Sequence, residues 1–539
     1  MTDPRETESI LWDVIVIGAG MGGGTIGYEL TRLGRRVLYL EKGRSSFSSP
    51  GTIAGVYPEQ TFDIAELTDA EYRDRLARAG RNIEQVLDTG SKGKPKPFVP
   101  TVGSGTGGSS ALYGMVTERF FREDFEPRAG FADVGDSSVP EAWPIKYDEM
   151  APWYRKAEQL YRVRGTADPL RPDDDTDSLR RPPPMTAANA EVAEFLTDRG
   201  MHPYNLHVAC EYKDNCQACQ GFLCASKCKN HAGNICVEPA VREHDATLLD
   251  QTTVVRLEAS RTKVTGVVAR RHGETLNLRG KVVVLAAGAL CTPALLLNSS
   301  SKDWPHGLAN DNDLVGRNLM RHFIDLFLFR VHAAPVTGQT KEIGVSDFYL
   351  DNGQKFGALQ SLGRVFPYDL LMNGSRQNRR IFGPLRQLAG RYWKRELEDR
   401  VIVMASIAED LPYQENRVLP GSGKMMLEMR YRAGEADLKR HGNFIRTIKT
   451  ALGKYPGSRV FPVHLSGAQS NGVLGHECGT CRFGDDPKTS VLNPDNRAWG
   501  LDNLYVVDAS MFPSSTGMNP SLSIAANALR VAQVVQGSL

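Results

Sequence analysis

Two short segments near the C-terminus contain the residue types that can oxidise an alcohol. His476 begins the run His-Glu-Cys-Gly-Thr-Cys, and Asn519 lies in the run Thr-Gly-Met-Asn-Pro. Removing hydride from a carbinol carbon leaves the hydroxyl proton behind, and a neutral imidazole is the usual general base for such a proton. An asparagine amide can hydrogen-bond to the same hydroxyl without competing for the proton. We therefore predict that both residues are catalytic, and that a redox cofactor is needed because no side chain accepts hydride.

A dinucleotide-binding motif lies at the N-terminus. An apolar strand over 13–17 is followed at once by Gly-Ala-Gly-Met-Gly-Gly, a helix predicted over 25–33, and a second strand over 36–40. The glycines allow a tight turn whose amides approach a pyrophosphate, and an acid at the end of the second strand binds ribose hydroxyls. The predicted cofactor-binding residues of this segment are Gly18, Gly20, Gly23 and Glu41.

Both NAD and FAD suit that motif, and the other end of the chain favours FAD. A strand over 503–507 ends at Asp508 and Ala509, far in sequence from the first motif. An NAD enzyme usually completes its cofactor domain within one contiguous stretch, whereas a large, permanently bound flavin can be enclosed by both ends of a chain. Asp508 is expected to contact the cofactor, or else only to cap the next helix. Residues 102–120 contain no His or Cys for a covalent bond, so noncovalent FAD is predicted.

Several of these motifs resemble those of the glucose–methanol–choline (GMC) flavin oxidoreductases, and the resemblance covers nearly the whole length. Residues 105–115, Gly-Thr-Gly-Gly-Ser-Ser-Ala-Leu-Tyr-Gly-Met, resemble the first family signature, 288–300 resemble the second, and 315–320 match a further block. Arg321 and His322 follow where Asp-His is usual, and no role is predicted for His322. His476 and Asn519 fall on the family's catalytic pair.

The resemblance implies a fold and a set of cofactor contacts. The fold class is α/β, a Rossmann-like FAD-binding domain interleaved with an α+β substrate domain that has an antiparallel sheet and helices. The FAD contacts implied by the resemblance, beyond those of the N-terminal motif, are Gly107, Gly108, Ser109, Val254, Asp508, Ala509, Asn519 and Pro520.

The motifs divide the chain into five predicted segments. Residues 1–135, 230–325 and 470–539 carry the cofactor motifs and should form the FAD-binding domain. Residues 136–229, which include a cysteine-rich stretch, and residues 326–469 should form the substrate domain. A β-meander is predicted over 263–284, with a turn near 272–274 and a buried strand over 282–285.

The composition narrows the class of partner. Of the 539 residues, 41% are hydrophobic and 24% charged, as in ordinary globular proteins, and the formal net charge is +2. A net charge this close to zero gives no reason to expect nucleic acid or an anionic membrane surface as a binding partner. No apolar run is long enough to span a bilayer, and the first residues do not read as a signal peptide, so a cytoplasmic location is expected. The expected partners are a small alcohol or sugar and an electron acceptor.

Six cysteines are concentrated within 27 residues, and they admit three interpretations. The stretch contains Cys210, Cys216, Cys219, Cys224, Cys228 and Cys236. Some GMC dehydrogenases of sugars hold an iron–sulfur cluster in this region, and Cys219, Cys224 and Cys228 resemble their spacing. However, Lys229 stands where a proline often follows the last ligand. Structural zinc fits the short gaps less well, and plain structural cysteines are favoured over a cluster.

The predicted function is FAD-dependent oxidation of a CH–OH group. A sugar, glycoside or polyol is favoured because the chain resembles the sugar-type branch and its predicted substrate domain holds polar residues such as Tyr413, Gln414 and Arg417. Electrons would pass to oxygen or another acceptor. Two alternatives stay open: an iron–sulfur GMC sugar dehydrogenase that uses an electron carrier, and a GMC-fold lyase or decarboxylase in which FAD has no redox role.

Overall fold

The computed structural model describes most of the chain. The described residues are 4–58, 67–91, 93–214, 216, 219–333, 341–351, 353–364, 399–423, 425–453, 461–465 and 476–539.

Ten α-helices and nineteen strands lie within the described residues. The helices are α1 Pro4–Ser9, α2 Met21–Arg32, α3 Asp69–Arg78, α4 Ser109–Leu112, α5 Tyr147–Tyr161, α6 Ala187–Thr197, α7 Glu238–Glu243, α8 Gly288–Asn298, α9 Glu435–Leu452 and α10 Ser521–Ser538. The strands are β1 Leu11–Ile17, β2 Val37–Leu40, β3 Val86–Asp88, β4 Lys96–Phe98, β5 Tyr204–Asn205, β6 Thr247–Leu249, β7 Thr252–Ala259, β8 Val264–Arg271, β9 Glu274–Leu285, β10 Phe323–Arg330, β11 Ile343–Val345, β12 Leu350–Asp351, β13 Gln354–Lys355, β14 Gly357–Arg364, β15 Val401–Ala408, β16 Arg417–Pro420, β17 Leu427–Arg430, β18 Phe461–Leu465 and β19 Leu504–Val506.

The first sheet joins the two ends of the chain. Its strand order is β6-β2-β1-β9-β8-β7, and β19 also pairs with β9. The strands β6, β2, β1, β9 and β19 run parallel, and β1 is buried along all but its first residue, as expected for a parallel strand covered on both faces. The predicted meander is confirmed, because β8 and β9 are antiparallel neighbours joined by a turn at His272 and Gly273.

Helix α2 begins earlier than the sequence indicated. We predicted its start at residue 25, but it begins at Met21 and includes three consecutive glycines. Glycine is a poor helix former, yet a Cβ on Gly22 would lie 2.1 Å from the Val507 carbonyl oxygen, and one on Gly23 would lie 2.0 Å from the Gly18 carbonyl oxygen. Close packing of the helix against the sheet therefore outweighs helix propensity at these positions.

The second sheet is antiparallel throughout. Its order is β18-β10-β15-β14-β11-β5, and helices α6 and α9 cover it with a separate apolar core that includes Phe195, Phe327 and Phe444. An antiparallel sheet with helices was predicted for the substrate domain. The strand β10 crosses the predicted boundary between 325 and 326, and the division into cofactor and substrate parts remains a proposal.

Two smaller sheets complete the described fold. One has the order β16-β17-β3-β4, and the other pairs β12 with β13. Within the described ranges, no helix combines the length and the apolar character needed to cross a bilayer.

Candidate active site

Three adjacent parallel strands end at one edge of the first sheet. Ile17 of β1 is paired with Leu285 of β9, and Leu285 is paired with Val506 of β19. Helix α2 follows the first strand and helix α8 follows the second, so two helix N-termini lie at that edge. Helix N-termini present unpaired N–H groups that favour an anion such as a pyrophosphate.

The glycines at this edge fall into two groups. A Cβ on Gly18 would lie 2.3 Å from the Ala286 carbonyl oxygen, so Gly18, like Gly23, is required by close packing of the backbone. By contrast, a Cβ on Gly20 would meet only Gly108 Cα, at 4.0 Å, and one on Gly288 would meet nothing within 4 Å. Gly20 and Gly288 therefore line open space in front of the strand ends, where a side chain would occupy the position of a ligand.

Glu41 connects the two glycine loops. Its buried carboxylate accepts hydrogen bonds from the backbone N–H groups of Ala19 at 2.9 Å, Gly43 at 2.8 Å and Gly105 at 3.0 Å. Burial raises the pKa of Glu41, and the three N–H donors oppose that rise. In this structure Glu41 organises the loops, and its predicted contact with ribose hydroxyls remains a proposal.

The first signature loop lies directly against the N-terminal glycines. The Gly107 N–H donates to the Ala19 carbonyl at 2.8 Å, and a Cβ on Gly108 would lie 3.1 Å from Gly20 Cα. Ser109 opens α4, and its hydroxyl accepts from the Gly103 N–H at 3.0 Å. The structure thus brings Gly107 and Gly108 beside Gly20, as the sequence motifs predicted for one shared ligand.

Val254 and Asp508 lie beside the same edge. Val254 is in β7, two residues after Thr252, whose N–H donates to the Glu41 carbonyl at 2.9 Å. The Asp508 carboxylate accepts from the Gly288 N–H at 3.0 Å and from the Thr292 hydroxyl at 2.6 Å. It also accepts from the Ser510 N–H at 2.8 Å, so it caps the short 3-10 turn that contains Ala509. Its capping role is realised, and a role in cofactor binding remains a proposal.

His476 is placed by a short antiparallel contact with the chain around His322. Met320 and Cys478 exchange two backbone hydrogen bonds, each of 3.0 Å, and this pairing brings the two imidazoles together. The Nδ1 atoms of His322 and His476 are 2.8 Å apart. The backbone of His476 has φ +63°, a conformation that a residue with a Cβ holds only where its surroundings require it.

The hydrogen bonds of His322 fix the tautomer of His476. His322 Nε2 is 3.0 Å from the Ser515 carbonyl oxygen, which can only accept, so Nε2 carries the hydrogen. A neutral His322 then has a bare Nδ1, which accepts from the Nδ1–H of His476. The remaining nitrogen of His476, Nε2, is therefore unprotonated, which is the state that a general base requires.

Both imidazoles are neutral at ordinary pH. Burial lowers the pKa of His322 to about 4. Burial also lowers the pKa of His476 well below its usual range, with smaller contributions from His322 and Lys341. A base that stays unprotonated at neutral pH is consistent with proton abstraction from an alcohol.

Asn519 faces the bare nitrogen of His476. Its Nδ2 is 3.5 Å from His476 Nε2, a long contact. Its Oδ1 is buried and has no hydrogen-bond partner within the described part of the chain. Pro520 follows as the N-cap of α10. An orphaned buried acceptor beside a bare base, next to an open glycine-lined space, fits a bound flavin and a substrate hydroxyl.

A buried charged cluster supports the loop that carries Asn519. Lys355 forms ion pairs with Asp124 and with Glu409, and all three side chains are buried. The Thr516 N–H donates to Glu409 at 3.2 Å. The Tyr349 hydroxyl donates to Asp124 at 2.7 Å and accepts from the Gly517 N–H at 3.0 Å. The loop is therefore held from the side of the second sheet, which sequence reasoning did not anticipate.

The clustered cysteines are free thiols. Cys210 Sγ and Cys216 Sγ are 3.8 Å apart, and the Cys228 N–H lies 3.3 Å from Cys224 Sγ. The pKa of Cys224 is lowered to about 5 by a hydrogen bond from the Cys219 thiol and by backbone donors. Across the described ranges no three His, Cys, Asp or Glu residues are grouped to hold a metal ion.

Some predicted polar residues make other contacts, and two functional candidates were missed. Tyr413 packs in an apolar cluster, Gln414 is exposed and Arg417 pairs with Asp313 at 3.6 Å. None of these contacts involves His476 or Asn519.

The sequence analysis assigned no role to His322 because the residue before it departs from the family motif. Its place directly before the strand β10 was the signal in the sequence that could have identified it. Lys341 belongs to no sequence motif, and only its burial in the structure identifies it as a functional candidate.

The fold and the candidate site together define a class of protein, a dinucleotide-binding oxidoreductase. Family models described as GMC oxidoreductase match residues 13–324 and 412–528. The chain therefore belongs to the GMC oxidoreductase family, and it is an enzyme acting on CH–OH donors. This membership implies FAD as the cofactor.

Relatives and a solved structure agree with that assignment. The chain is 28% identical to paromamine 6'-oxidase of Streptomyces fradiae, covering 100% of this chain and 93% of the relative. It is 26% identical to 2-methyl-1,2-propanediol dehydrogenase of Mycolicibacterium austroafricanum, covering 97% and 95%. Its fold matches formate oxidase of Aspergillus oryzae RIB40 with a TM-score of 0.64 and 16% identity, covering 98% and 99%.

Proposed function

We propose that this chain oxidises a CH–OH group of a sugar, glycoside or polyol to a carbonyl, with His476 as general base and noncovalently held FAD. The observation that carries the proposal is the hydrogen-bonded series from Ser515 through His322 to His476. That series leaves His476 Nε2 unprotonated beside the amide of Asn519. Relatives named as oxidising an aminoglycoside and a diol support a polyhydroxylated substrate.

Each residue of the site has a defined task in this mechanism. Bound FAD supplies the hydride acceptor. His476 Nε2 takes the hydroxyl proton of the substrate and holds it as an imidazolium. The Asn519 amide fixes the same hydroxyl, so that its oxygen stays aligned with the base. His322, which is buried, retains its bare Nδ1 as the acceptor for His476 Nδ1–H.

The cofactor would be held by the residues at the strand ends. Gly20 and Gly288 leave room for it, Gly107 and Gly108 bring the signature loop against that space, and Asp508 fixes the start of α8. Noncovalent attachment is proposed because residues 102–120 contain no His or Cys. Acid or heat should then release all of the flavin into the supernatant, and flavin remaining with the precipitated protein would contradict this.

Anaerobic mixing of the purified yellow protein with a panel of alcohols tests the reaction. We expect the visible flavin absorbance to bleach with one or more sugars or polyols. Bleaching only by apolar alcohols such as sterols would overturn the proposed substrate class. The absence of bleaching by any alcohol would overturn oxidation and favour the lyase or decarboxylase alternative.

The electron acceptor is tested in the same preparation. Oxygen, a quinone and a dye that accepts single electrons are each added to the reduced protein, and reoxidation is followed by the return of flavin absorbance. We propose that no iron–sulfur cluster takes part, so iron and acid-labile sulfide should be absent from an anaerobic preparation. Three or four irons per flavin, as a cluster ligated by Cys219, Cys224 and Cys228 would need, would reverse that proposal.

A further inference from the structure

A buried lysine, Lys341, packs against the end of the signature loop and has no counter-ion among the described residues. Lys341 is 6% exposed, and no hydrogen bond or ion pair links its side chain to any other described residue. A buried ammonium group costs considerable free energy unless it is paired, so lysine is rarely kept in such a place without a partner. An unpaired buried lysine is therefore a candidate for binding a ligand.

The local structure directs Lys341 toward the active site. Lys341 lies two residues before β11, and the N–H groups of Glu342 and Ile343 donate to the Ser361 hydroxyl at 2.8 and 2.9 Å. Side chains alternate along an extended segment, and Glu342 is turned toward Thr186, whose N–H donates to it at 2.9 Å. The Glu342 carboxylate, the nearest one in sequence, therefore accepts from Thr186 and does not pair with the ammonium group of Lys341.

Lys341 contacts the end of the signature loop. A Cβ built on Gly114 would lie 2.3 Å from both Cε and Nζ of Lys341, so the absence of a side chain at Gly114 makes room for the ammonium group. The charge of Lys341 also reaches His476, since it contributes to lowering the pKa of that imidazole. Lys341, which lies two residues before a strand of the second sheet, therefore places a cation against the end of the signature loop.

We propose that Lys341 is a specificity-determining residue that binds a carboxylate of the substrate, so that this enzyme prefers hydroxy acids of the sugar-acid type over neutral polyols. This inference rests on the proposed function and narrows its substrate class. The substrate carboxylate would be the counter-ion of Lys341 and would accept a charge-assisted hydrogen bond from its ammonium group. Cationic amino sugars would be disfavoured at the same position by like-charge repulsion.

The charged groups around Lys341 define a pH signature. Burial, with a smaller contribution from Lys229, lowers the pKa of Lys341 to about 7. Of the other charged groups, Lys229 repels the ammonium group of Lys341, His476 is neutral, and the Glu342 carboxylate accepts from the Thr186 N–H. An anion therefore binds to the protonated lysine below pH 7, and its affinity falls as the pH rises through that value.

Two matched ligand pairs test the inference by equilibrium binding. Acetate is compared with acetamide, and butyrate with butyramide, by titrating the oxidised holoenzyme anaerobically and following the flavin absorbance, because none of these ligands carries a hydroxyl group that the flavin could oxidise. At pH 6 we expect each carboxylate to bind roughly tenfold to a hundredfold tighter than its neutral counterpart. Above pH 7 the dissociation constant of the carboxylate should rise by up to about tenfold per pH unit.

Three variants complete the experiment. Lys341→Met should abolish both the preference for carboxylates and its pH dependence. Lys341→Arg should keep a preference for carboxylates that no longer falls near pH 7. The control, Lys488→Met, changes an exposed residue and should match the wild type. Flavin content and circular dichroism verify that Lys341→Met folds, which is expected because removing an unpaired buried charge relieves a cost. Equal affinity for both members of each pair, or a preference that survives in Lys341→Met, overturns the inference. Bleaching by a neutral polyol would still support the proposed oxidation in that case.

Discussion

At the scale of single residues, the proposed catalysis depends on keeping Nε2 of His476 free of its proton. Burial keeps His322 and His476 neutral, and the Ser515 carbonyl determines which nitrogen of each ring carries hydrogen. Asn519 then completes the site from the other side. The roles of the base, of the residue that orients it and of the amide can be separated by substitution.

Replacing the base should slow the chemical step and leave the fold intact. His476→Ala should retain FAD and reduce its flavin roughly two to four orders of magnitude more slowly. Asn519→Ala should cost about tenfold to a hundredfold, as loss of a hydrogen bond of ~1.5–3 kcal/mol implies. Stopped-flow reduction at saturating substrate measures both effects, and a wild-type rate in either variant would refute the assignment of that residue.

The pH dependence of the wild type follows from the lowered pKa of His476. A base with a lowered pKa remains unprotonated further into the acid range, so flavin reduction by a neutral alcohol should stay constant as the pH falls through 6.5 and should decline only at more acid pH. The rate constant at saturating substrate, measured across the pH range, tests this. A midpoint at or above 6.5 would contradict the structure.

His322 is a positioning residue, and a conservative variant distinguishes that role from a structural one. His322→Met should slow flavin reduction by roughly tenfold, because His476 loses the acceptor that fixes its tautomer. His322→Gln keeps an acceptor for His476 and a donor for Ser515, so it should recover most of the rate. Equal losses in both variants would indicate a purely structural role.

At the scale of elements, the strand-to-helix turns decide where a cofactor can lie. At Gly18 and Gly23, backbone atoms of neighbouring segments occupy the space that a side chain would need. Gly20, by contrast, faces open space. The same motif thus contains glycines needed for packing and a glycine needed for a ligand. Substitutions at these two kinds of position should have different consequences.

Gly20→Val should yield folded protein that has lost its flavin, because the branched side chain would project into the open space without meeting protein atoms within normal contact distance. The matched control is Gly442→Val on helix α9, where a Cβ meets nothing within 4 Å and the residue is exposed. Flavin absorbance per protein and circular dichroism measure the two properties. A Gly20→Val protein with full flavin content would show that the cofactor lies elsewhere.

At the scale of the whole molecule, a buried ion cluster links β13 and the end of β15 to the loop that carries Asn519. Lys355 is paired with Asp124 and Glu409, and Glu409 accepts the Thr516 N–H. Burial raises the pKa of Glu409 and pairing with Lys355 lowers it, and the effect of burial is the larger. Removing the lysine would leave two buried carboxylates without their cation.

Lys355→Met should therefore lower the free energy of unfolding by about 3–5 kcal/mol, the usual cost of breaking a buried ion pair. The control, Lys281→Met, removes an exposed pair with Asp13 and should change it by less than about 1 kcal/mol. Chemical denaturation of the holoenzymes measures both. Equal effects of the two substitutions would mean that the buried cluster has no special role in stability.

The sequence by itself determined the class of cofactor and the kind of sheets, and it predicted the catalytic pair, because these depend on local patterns. Glycines between a strand and a helix, an acid ending the next strand and a meander with a turn at Gly273 are local features, and β1, β8 and β9 formed as predicted. Only the tertiary structure decided what surrounds the base. His322 meets His476 across 154 residues, and Lys341 lies beside Gly114 although no motif connects them. Burial, counter-ions and tautomers depend on contacts between distant segments, and such contacts leave no periodic or local signal in one sequence.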